Sequence, residues 1–412
     1  MAGMVREAEN PRLLVSRLGK LDPGIDDTDR ALRAIRRGVD AARVFDLARF
    51  QKVLYLSWAN LEPLRAHPEA AGLWDRLKDH LGGGSPWEDS ASTRRRIRRK
   101  LLHVLQVLSR AGVRAMPVKG SAMLLVYPEY ALREMNDIDL LVPDQPSLWA
   151  AVRALRRAGF SLAEDEQNPW VQRFQAGGVA KVYGSFKVTK GRGTASGIDI
   201  HSGNMTFGPT GVVAGDPWGR SFKKRVNGLV VDLPRPEDAF LFTMGHALNH
   251  GFFLLKDIND MFVLTSGEGF DWEYLESVIL SSRLGCCVGY LAGFAASIYP
   301  GSPLAQGLLQ IRRVTGRGWP VSWFLRRRAL SLRLLPPPGP LFSAALAYDC
   351  QRGSRPRWRA LSHALSALFH EAATGVVGSD RTPRWLVKPL VAAARRAFFT
   401  PLPPCGVQVC LT

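Results

Sequence analysis

Asp137 and Asp139, with Ile138 between them and Leu140-Leu141-Val142 after them, are the residues whose types and spacing speak most directly of chemistry. On a strand, residues two apart project to the same face. Two ionised carboxylates held side by side repel each other, and burial raises the cost. A divalent cation that prefers hard oxygen ligands, Mg²⁺ or Mn²⁺, resolves that conflict. A pair of this kind also occurs on solvated strand edges, but the apolar run that follows reads as a buried strand. Just upstream lies Val118-Lys119-Gly120-Ser121. A glycine at a strand-to-helix turn lets a ligand approach the backbone, and the first amides of a helix bind phosphate. Ser121 adds a hydroxyl or caps the helix, and Lys119 adds a positive charge. The same four residues would serve equally in an ordinary turn, with Lys119 facing solvent. A third carboxylate, Asp199, sits in Gly197-Ile198-Asp199-Ile200-His201. If its strand neighbours that of Asp139, three carboxylates converge and can hold two metal ions roughly 4 Å apart. If not, Asp199 is an exposed strand residue.

The elements that must position these residues follow from periodicity and punctuation. Apolar residues recur at helical spacing from Arg30 to Leu47 and from Phe50 to Leu61, with Pro63 ending the second run. Gly82-Gly83-Gly84-Ser85-Pro86 breaks this region. Arg94-Arg95-Arg96-Ile97-Arg98-Arg99-Lys100 then opens a helix whose buried stripe is Leu101, Val104, Leu105 and Leu108. The basic run is either a nucleic-acid patch or a solvated helix face. Ala115 to Val118 reads as a strand, Ser121 to Val126 as a short helix stopped by Tyr127-Pro128, and Ile138 to Val142 as a strand closed by Pro143. Ser147 to Ala158 is an amphipathic helix. Further strands are expected at 160–162, 179–188, 198–200 and 229–232, making a mixed sheet with helices against it. Beyond Pro234 the chain returns to helix over 237–250 and 252–263, and Asp271-Trp272 opens another.

Composition narrows the class. The 412 residues are 46% hydrophobic and 22% charged, values of an ordinary globular chain long enough for two or three domains. A net charge of +19 suits an anionic partner, and equally a general arginine bias. The five cysteines, Cys286, Cys287, Cys350, Cys405 and Cys410, form no CxxC pair and no zinc-finger spacing, and an odd number in so long a chain argues against a disulfide framework and for a reducing compartment. The N-terminus has no signal-peptide pattern, and no run of about 18 apolar residues is present, so neither secretion nor stable membrane insertion is expected. The expected location is cytoplasmic.

Taken in order, Val118, Gly120-Ser121, Asp137, Asp139 and Asp199 resemble the signature of the DNA polymerase beta-type nucleotidyltransferase superfamily. Within it, the chain is similar to the bacterial family of uncharacterised nucleotidyltransferases. The likeness is carried by Lys119-Gly120, Tyr127-Pro128, Arg133, Asp137 to Val142 and Asp199-Ile200-His201. It continues through Pro236-Glu237-Asp238, His246, His250, Asp257-Ile258 and Asp271-Trp272, and covers roughly residues 40 to 300. Two departures concern the acceptor side: Ser202 stands where members often carry Trp, and Leu254-Leu255-Lys256 replaces an aromatic before the Asp-Ile.

The resemblance implies an α/β (α+β) fold: a mixed-sheet nucleotidyltransferase core flanked by N- and C-terminal helical lobes. The expected divisions are an N-terminal helical region at 1–92, the core at 93–235, a helical lobe at 236–300 and a basic, Arg/Trp/Pro-rich helical region at 301–412. The implied reaction transfers a nucleoside monophosphate from an NTP, with ATP the first candidate, to an acceptor left open among small molecule, peptide and protein. Asp137, Asp139 and Asp199 would bind the metal and catalyse. Lys119, Gly120, Ser121 and Arg133 would hold the nucleotide, although Arg133 fits a structural salt bridge equally well. His201, His246, His250 and Asp257 are candidate substrate contacts. The spacing of His246 and His250 suits a zinc protease, but Ala247 occupies the position of the required Glu, and core packing is the simpler role. Asp257 could instead cap or bridge helices. Nucleic acid is allowed as a partner but not required. The alternative function is a degenerate transferase fold that binds nucleotide or nucleic acid without turnover.

Overall fold

The computed structural model describes residues 11–80, 86–126, 133–135, 137–162, 170–176, 179–189, 197–202, 216–249, 253–281 and 284–315. Five helices come first: α1 (Pro11–Leu18), α2 (Ile25–Arg36), α3 (Ala41–Phe50), α4 (Leu54–Leu61) and α5 (Pro68–His80), with a 3-10 turn over Glu62–Ala66. The continuous helical periodicity from Arg30 to Leu47 is broken for a local reason. Gly38 adopts φ +83°, and the Asp40 carboxylate accepts the amides of Ala42 and Arg43, so one helix stops and another is capped within four residues. Pro63 lies inside the 3-10 turn, not at the end of α4, which stops at Leu61.

The long α6 (Pro86–Arg110) begins before the arginine run and turns Ile97, Leu101, Val104, Leu105 and Leu108 inward. It ends where Gly112 takes φ +71°. Then come β1 (Met116–Pro117), α7 (Lys119–Val126), β2 (Ile138–Val142) and α8 (Gln145–Arg157), the last capped by Asp144 on the Ser147 amide. β3 (Ser161–Leu162), β4 (Trp170–Ala176), β5 (Val179–Thr189) and β6 (Ile198–Ser202) complete the sheet, in the order β1-β2-β6-β5-β3 with β4 on β5. β2 and β6 are parallel; the other pairs are antiparallel. A separate hairpin, β7 (Phe222–Val226) and β8 (Leu229–Leu233), turns through Asn227 and Gly228, both at positive φ. α9 (Pro236–Asn249), α10 (Leu255–Ser266), α11 (Trp272–Ser281), α12 (Gly285–Ile298) and α13 (Pro303–Thr315) follow. The fold is mixed α/β, mostly helical with a small mixed sheet. Among the described residues no helix is long and apolar enough to cross a membrane. Residues 316–412, with the Pro-rich segment at 335–340, Arg326-Arg327-Arg328 and Trp358, lie outside the described residues, as do Tyr127-Pro128 and His250.

Two hydrophobic cores meet at β2. Ile138, Leu140 and Val142 point into the core of α6, α8 and the sheet, together with Ile198 and Ile200 of β6. Leu141, on the opposite face, joins Met116 and Val118 in a second core made jointly by α1–α5 and α9–α13. Trp58 of α4 is 1% exposed and meets Trp74 of α5 edge-on at 4.9 Å between ring centroids. Tyr299 stacks on Phe262 at 4.0 Å, its hydroxyl donates to Asn259 Oδ1 and it accepts the Leu21 amide. Among the described residues, α1–α5 and α9–α13 are thereby one packed unit.

The start of α4 is capped from a distance. Glu134, just before β2, accepts the Leu54 amide at 2.5 Å and the Tyr55 amide at 3.4 Å on Oε1. Burial pushes the Glu134 carboxyl up to about 7, against the opposing pull of those two amides, Lys52 and Arg49. Its ordinary value is 4.5, so between about 4.5 and 7 the folded protein holds a proton that the unfolded chain has released. This contribution to stability is full below about 4.5 and is lost as pH rises through about 7. Thermal midpoints measured across that window should fall with rising pH, and Glu134→Gln should flatten the fall. A slope unchanged in the variant would assign it to other groups.

Candidate active site

β2 supplies the centre of the site because alternation sends its odd residues away from the α/β core. Asp139 is 5% exposed, and its main chain is held on both sides: its amide donates to Ser121 Oγ at 2.8 Å, and its carbonyl accepts from the Val118 amide at 3.1 Å. The Lys119 ammonium lies 2.6 Å from Asp139 Oδ1, and His201 Nε2 lies 3.2 Å from the same oxygen. Burial by itself would raise the Asp139 carboxyl. Lys119 first, and then His201, outweigh burial and hold the carboxyl far below the usual carboxylate range.

The parallel pairing of β2 with β6 sets Asp139 directly beside Asp199, and Leu141 beside His201. Asp199 and His201, two apart on β6, share the face of Asp139. Asp137 precedes β2, is half-buried and faces the cleft. The condition on which the convergence of three carboxylates depends, adjacency of the two strands, is therefore met. Among the described residues no group of three acidic, His or Cys side chains is already closed into a metal cage. The donors are those a hard divalent cation takes, carboxylate oxygens from adjacent strands with Asp139 ionised, and such a cation would have to replace the Lys119 ammonium that now neutralises Asp139.

Lys119 reaches Asp139 from a backbone at φ +49°, a conformation that costs a lysine about 1 kcal/mol or more. That reversal turns the chain from β1 directly into α7. Gly120 follows for a steric reason. A Cβ there would stand 2.6 Å from Arg133 Nη1, and that guanidinium cannot easily yield. Arg133 makes a two-pronged ion pair with Asp260 of α10, Nε to Oδ1 at 2.8 Å and Nη2 to Oδ2 at 2.7 Å. Ser121, fully buried, uses its hydroxyl oxygen to accept the Asp139 amide.

The cleft beside these residues spans about 420 Å³ of empty space, part of it open to solvent. Lys119, Gly120, Asp137 and Asp139 form one wall. Thr243 and His246 of α9, Lys256, Asp257 and Asp260 of α10, and Lys52 from the α3–α4 turn form the other. Asp199, beside Asp139 in the sheet, is not a lining residue. Asp257 caps α10 by accepting the Leu254 amide at 3.0 Å and also contacts the Lys256 ammonium. Glu237 and Asp238 pair with Arg220, and the Tyr274 hydroxyl donates to Asp238, so that acidic pair ties α9 to α11 and to the segment before β7. Lys52, Glu134, Lys256 and Asp260 line the cleft without having stood out in the sequence. Lys256 adjoins a flagged residue, Asp257. Lys52 carries no local signal at all.

A family model described as uncharacterised nucleotidyltransferase matches residues 37–300. No curated protein matches. Among solved structures, JHP933 from Helicobacter pylori is similar at 13% identity over 57% of this chain and 92% of its own, with a TM-score of 0.28. A second H. pylori chain, provisionally called a nucleotidyltransferase, is similar at 12% identity over 58% of this chain and 97% of its own, with a TM-score of 0.27. Superpositions this loose carry no argument about the site.

Gly120→Ala should be destabilising, because the new methyl must displace a pinned guanidinium. Overpacking of this kind costs about 1–3 kcal/mol, to be read from the midpoint of urea unfolding. A wild-type midpoint would mean that Arg133 moves aside freely.

Proposed function

The chain belongs to the uncharacterised nucleotidyltransferase family and is an enzyme of that class, and from that premise we propose that Asp137, Asp139 and Asp199 carry metal-dependent transfer of a nucleoside monophosphate from an NTP to an acceptor. The observation that carries the reading is the register of β2 on β6, which sets Asp139 beside Asp199 with Asp137 two residues upstream. These carboxylates would hold Mg²⁺ or Mn²⁺, whose chemistry is to neutralise phosphate charge and activate the attacking oxygen.

The protein's own groups do the rest. The start of α7, at Gly120, is the kind of helix terminus whose first amides suit phosphate oxygens. Gly120 leaves the approach to them open. Ser121 acts from behind, fixing the main chain of Asp139. Lys119 neutralises Asp139 in the free protein and is close enough to share itself with a bound phosphate. Arg133, committed to Asp260, acts by shaping the turn over Gly120. Asp199 takes the acceptor's proton. The acceptor oxygen or nitrogen then bonds to the α-phosphorus, the α–β bridging bond breaks, and pyrophosphate leaves. His201 orients Asp139, while His246 and Asp257 border the space where an acceptor would enter. Catalysis on this reading is positioning and charge neutralisation.

Asp137→Ala and Asp139→Ala should each lower NTP-dependent labelling by at least about a hundredfold, with the circular dichroism of the folded protein retained. Each labelled NTP, ATP first, is incubated with Mg²⁺ or Mn²⁺ and cell extract, and mass spectrometry identifies what acquires the nucleotide mass. Full activity in both variants would refute the assignment. Nucleotide binding without pyrophosphate release under any condition would favour the non-catalytic binding module.

A further inference from the structure

Lys52 stands at the apex of the α3–α4 turn with φ +53°, a backbone conformation that glycine or asparagine adopts more cheaply than lysine. The turn is pinned on both sides. Gln51 Oε1 accepts the Leu255 amide at 2.8 Å, and the Gln51 carbonyl accepts the Lys256 amide at 3.4 Å. On the other side Glu134 holds the Leu54 amide. The main chain at Lys52 is thus tied to α10 and to the approach to β2. Its side chain lines the cleft that Asp137 and Asp139 line from the opposite wall. It also borders a smaller cavity walled by Leu21, Val53 and Leu56.

The other cations of the cleft already have carboxylates of their own. Lys119 is matched with Asp139, Arg133 with Asp260 and Lys256 with Asp257. Among the described residues Lys52 makes no ion pair. The charges that face it are Lys256 and Arg133, which disfavour its ammonium, and Asp137, Asp257 and the Glu134 carboxyl, which favour it; burial is the largest influence and pushes it down. A partly buried cation held in a cleft, beside two further cations and without a carboxylate in contact, is an electrostatic vacancy for a multiply charged anion. Lysine suits that task as a compact point charge with three donors.

We propose that Lys52 is a phosphate-binding residue of this site, contributed by the N-terminal helices. Its ammonium takes the terminal phosphates of the incoming NTP and holds them as pyrophosphate departs, across the cleft from Asp137 and Asp139. The inference rests on nucleotidyl transfer occurring in that cleft, and it adds the end of the substrate at which the triphosphate tail is gripped.

The test uses the full chain and sodium tripolyphosphate, titrated calorimetrically in buffer containing Mg²⁺. Lys52→Met should weaken tripolyphosphate binding at least tenfold, and Lys52→Arg should keep it within threefold of wild type. The NTP concentration for half-maximal pyrophosphate release should rise by a similar factor in Lys52→Met. Its thermal midpoint should not fall, because the charge removed is one the protein disfavours. The proposal is overturned if Lys52→Met binds tripolyphosphate within threefold of wild type, or if the wild-type protein does not bind it. It is also overturned if Lys52→Met and Lys52→Gln both lose binding together with their fold, since that assigns Lys52 to structure. Failure of the transferase reading is seen separately: Asp139→Ala would then still release pyrophosphate, and the tripolyphosphate comparison would decide Lys52 independently.

Discussion

The ionised carboxylate of Asp139 is the constraint around which the rest is arranged. Removing such a charge from water costs several kcal/mol unless partners replace the lost hydration. Here the compensation is an ammonium at 2.6 Å and an imidazole at 3.2 Å on the same oxygen. Each partner demands something of the chain. Lys119 must reverse direction immediately after β1, which it does in left-handed backbone, and His201 must lie on the strand paired with β2. Ser121 and Val118 then lock the main chain of Asp139 so that the carboxylate cannot drift from its partners.

Around this point three segments exchange polar contacts in a closed cycle. Glu134, before β2, caps α4; Gln51, before α4, caps α10; Asp260, on α10, grips Arg133, next to Glu134. Amides at two helix starts are satisfied by side chains from elsewhere in the chain, with Asp257 adding a local cap at α10. The cleft wall is therefore specified by residues up to 204 positions apart, and the apolar packing of α1–α5 against α9–α13 supports the same arrangement.

How much of this was legible in the sequence depends on how local each feature is. Asp137 and Asp139 stood out because alternation and the following Leu-Leu-Val are contained in six residues. Asp199 could be named, but its value turned on strand adjacency, which is a property of the sheet. The mixed α/β class and most helices were legible from periodicity. The run from Arg30 to Leu47 misled because the apolar spacing continues in phase across Gly38 and Asp40, whose stop-and-cap chemistry was there to be seen. β7 was missed although Asn227-Gly228 is a strong hairpin signal. β4 was missed because Val-Gln-Arg-Phe-Gln alternates poorly. Arg133 left two readings open, since its partner Asp260 is 127 residues away. Lys52 gave no sign, because only the turn geometry and the neighbouring ion pairs distinguish it from any other surface lysine.

The shared helical core has a consequence for how the protein is made. The Leu21 amide finds its acceptor on Tyr299, 278 residues later, and Leu14 and Val15 are buried in the same core as residues of α9–α13. A ribosome adds roughly 5–20 residues per second. The first helices therefore wait about 15 to 55 seconds for the surfaces that will cover them. During synthesis their apolar faces are exposed on the nascent chain, and the sheet carrying the carboxylates emerges before the helices that finish the cleft. Helices α1–α5 are made well before the surfaces that bury them, so their apolar faces need protection from aggregation while translation proceeds.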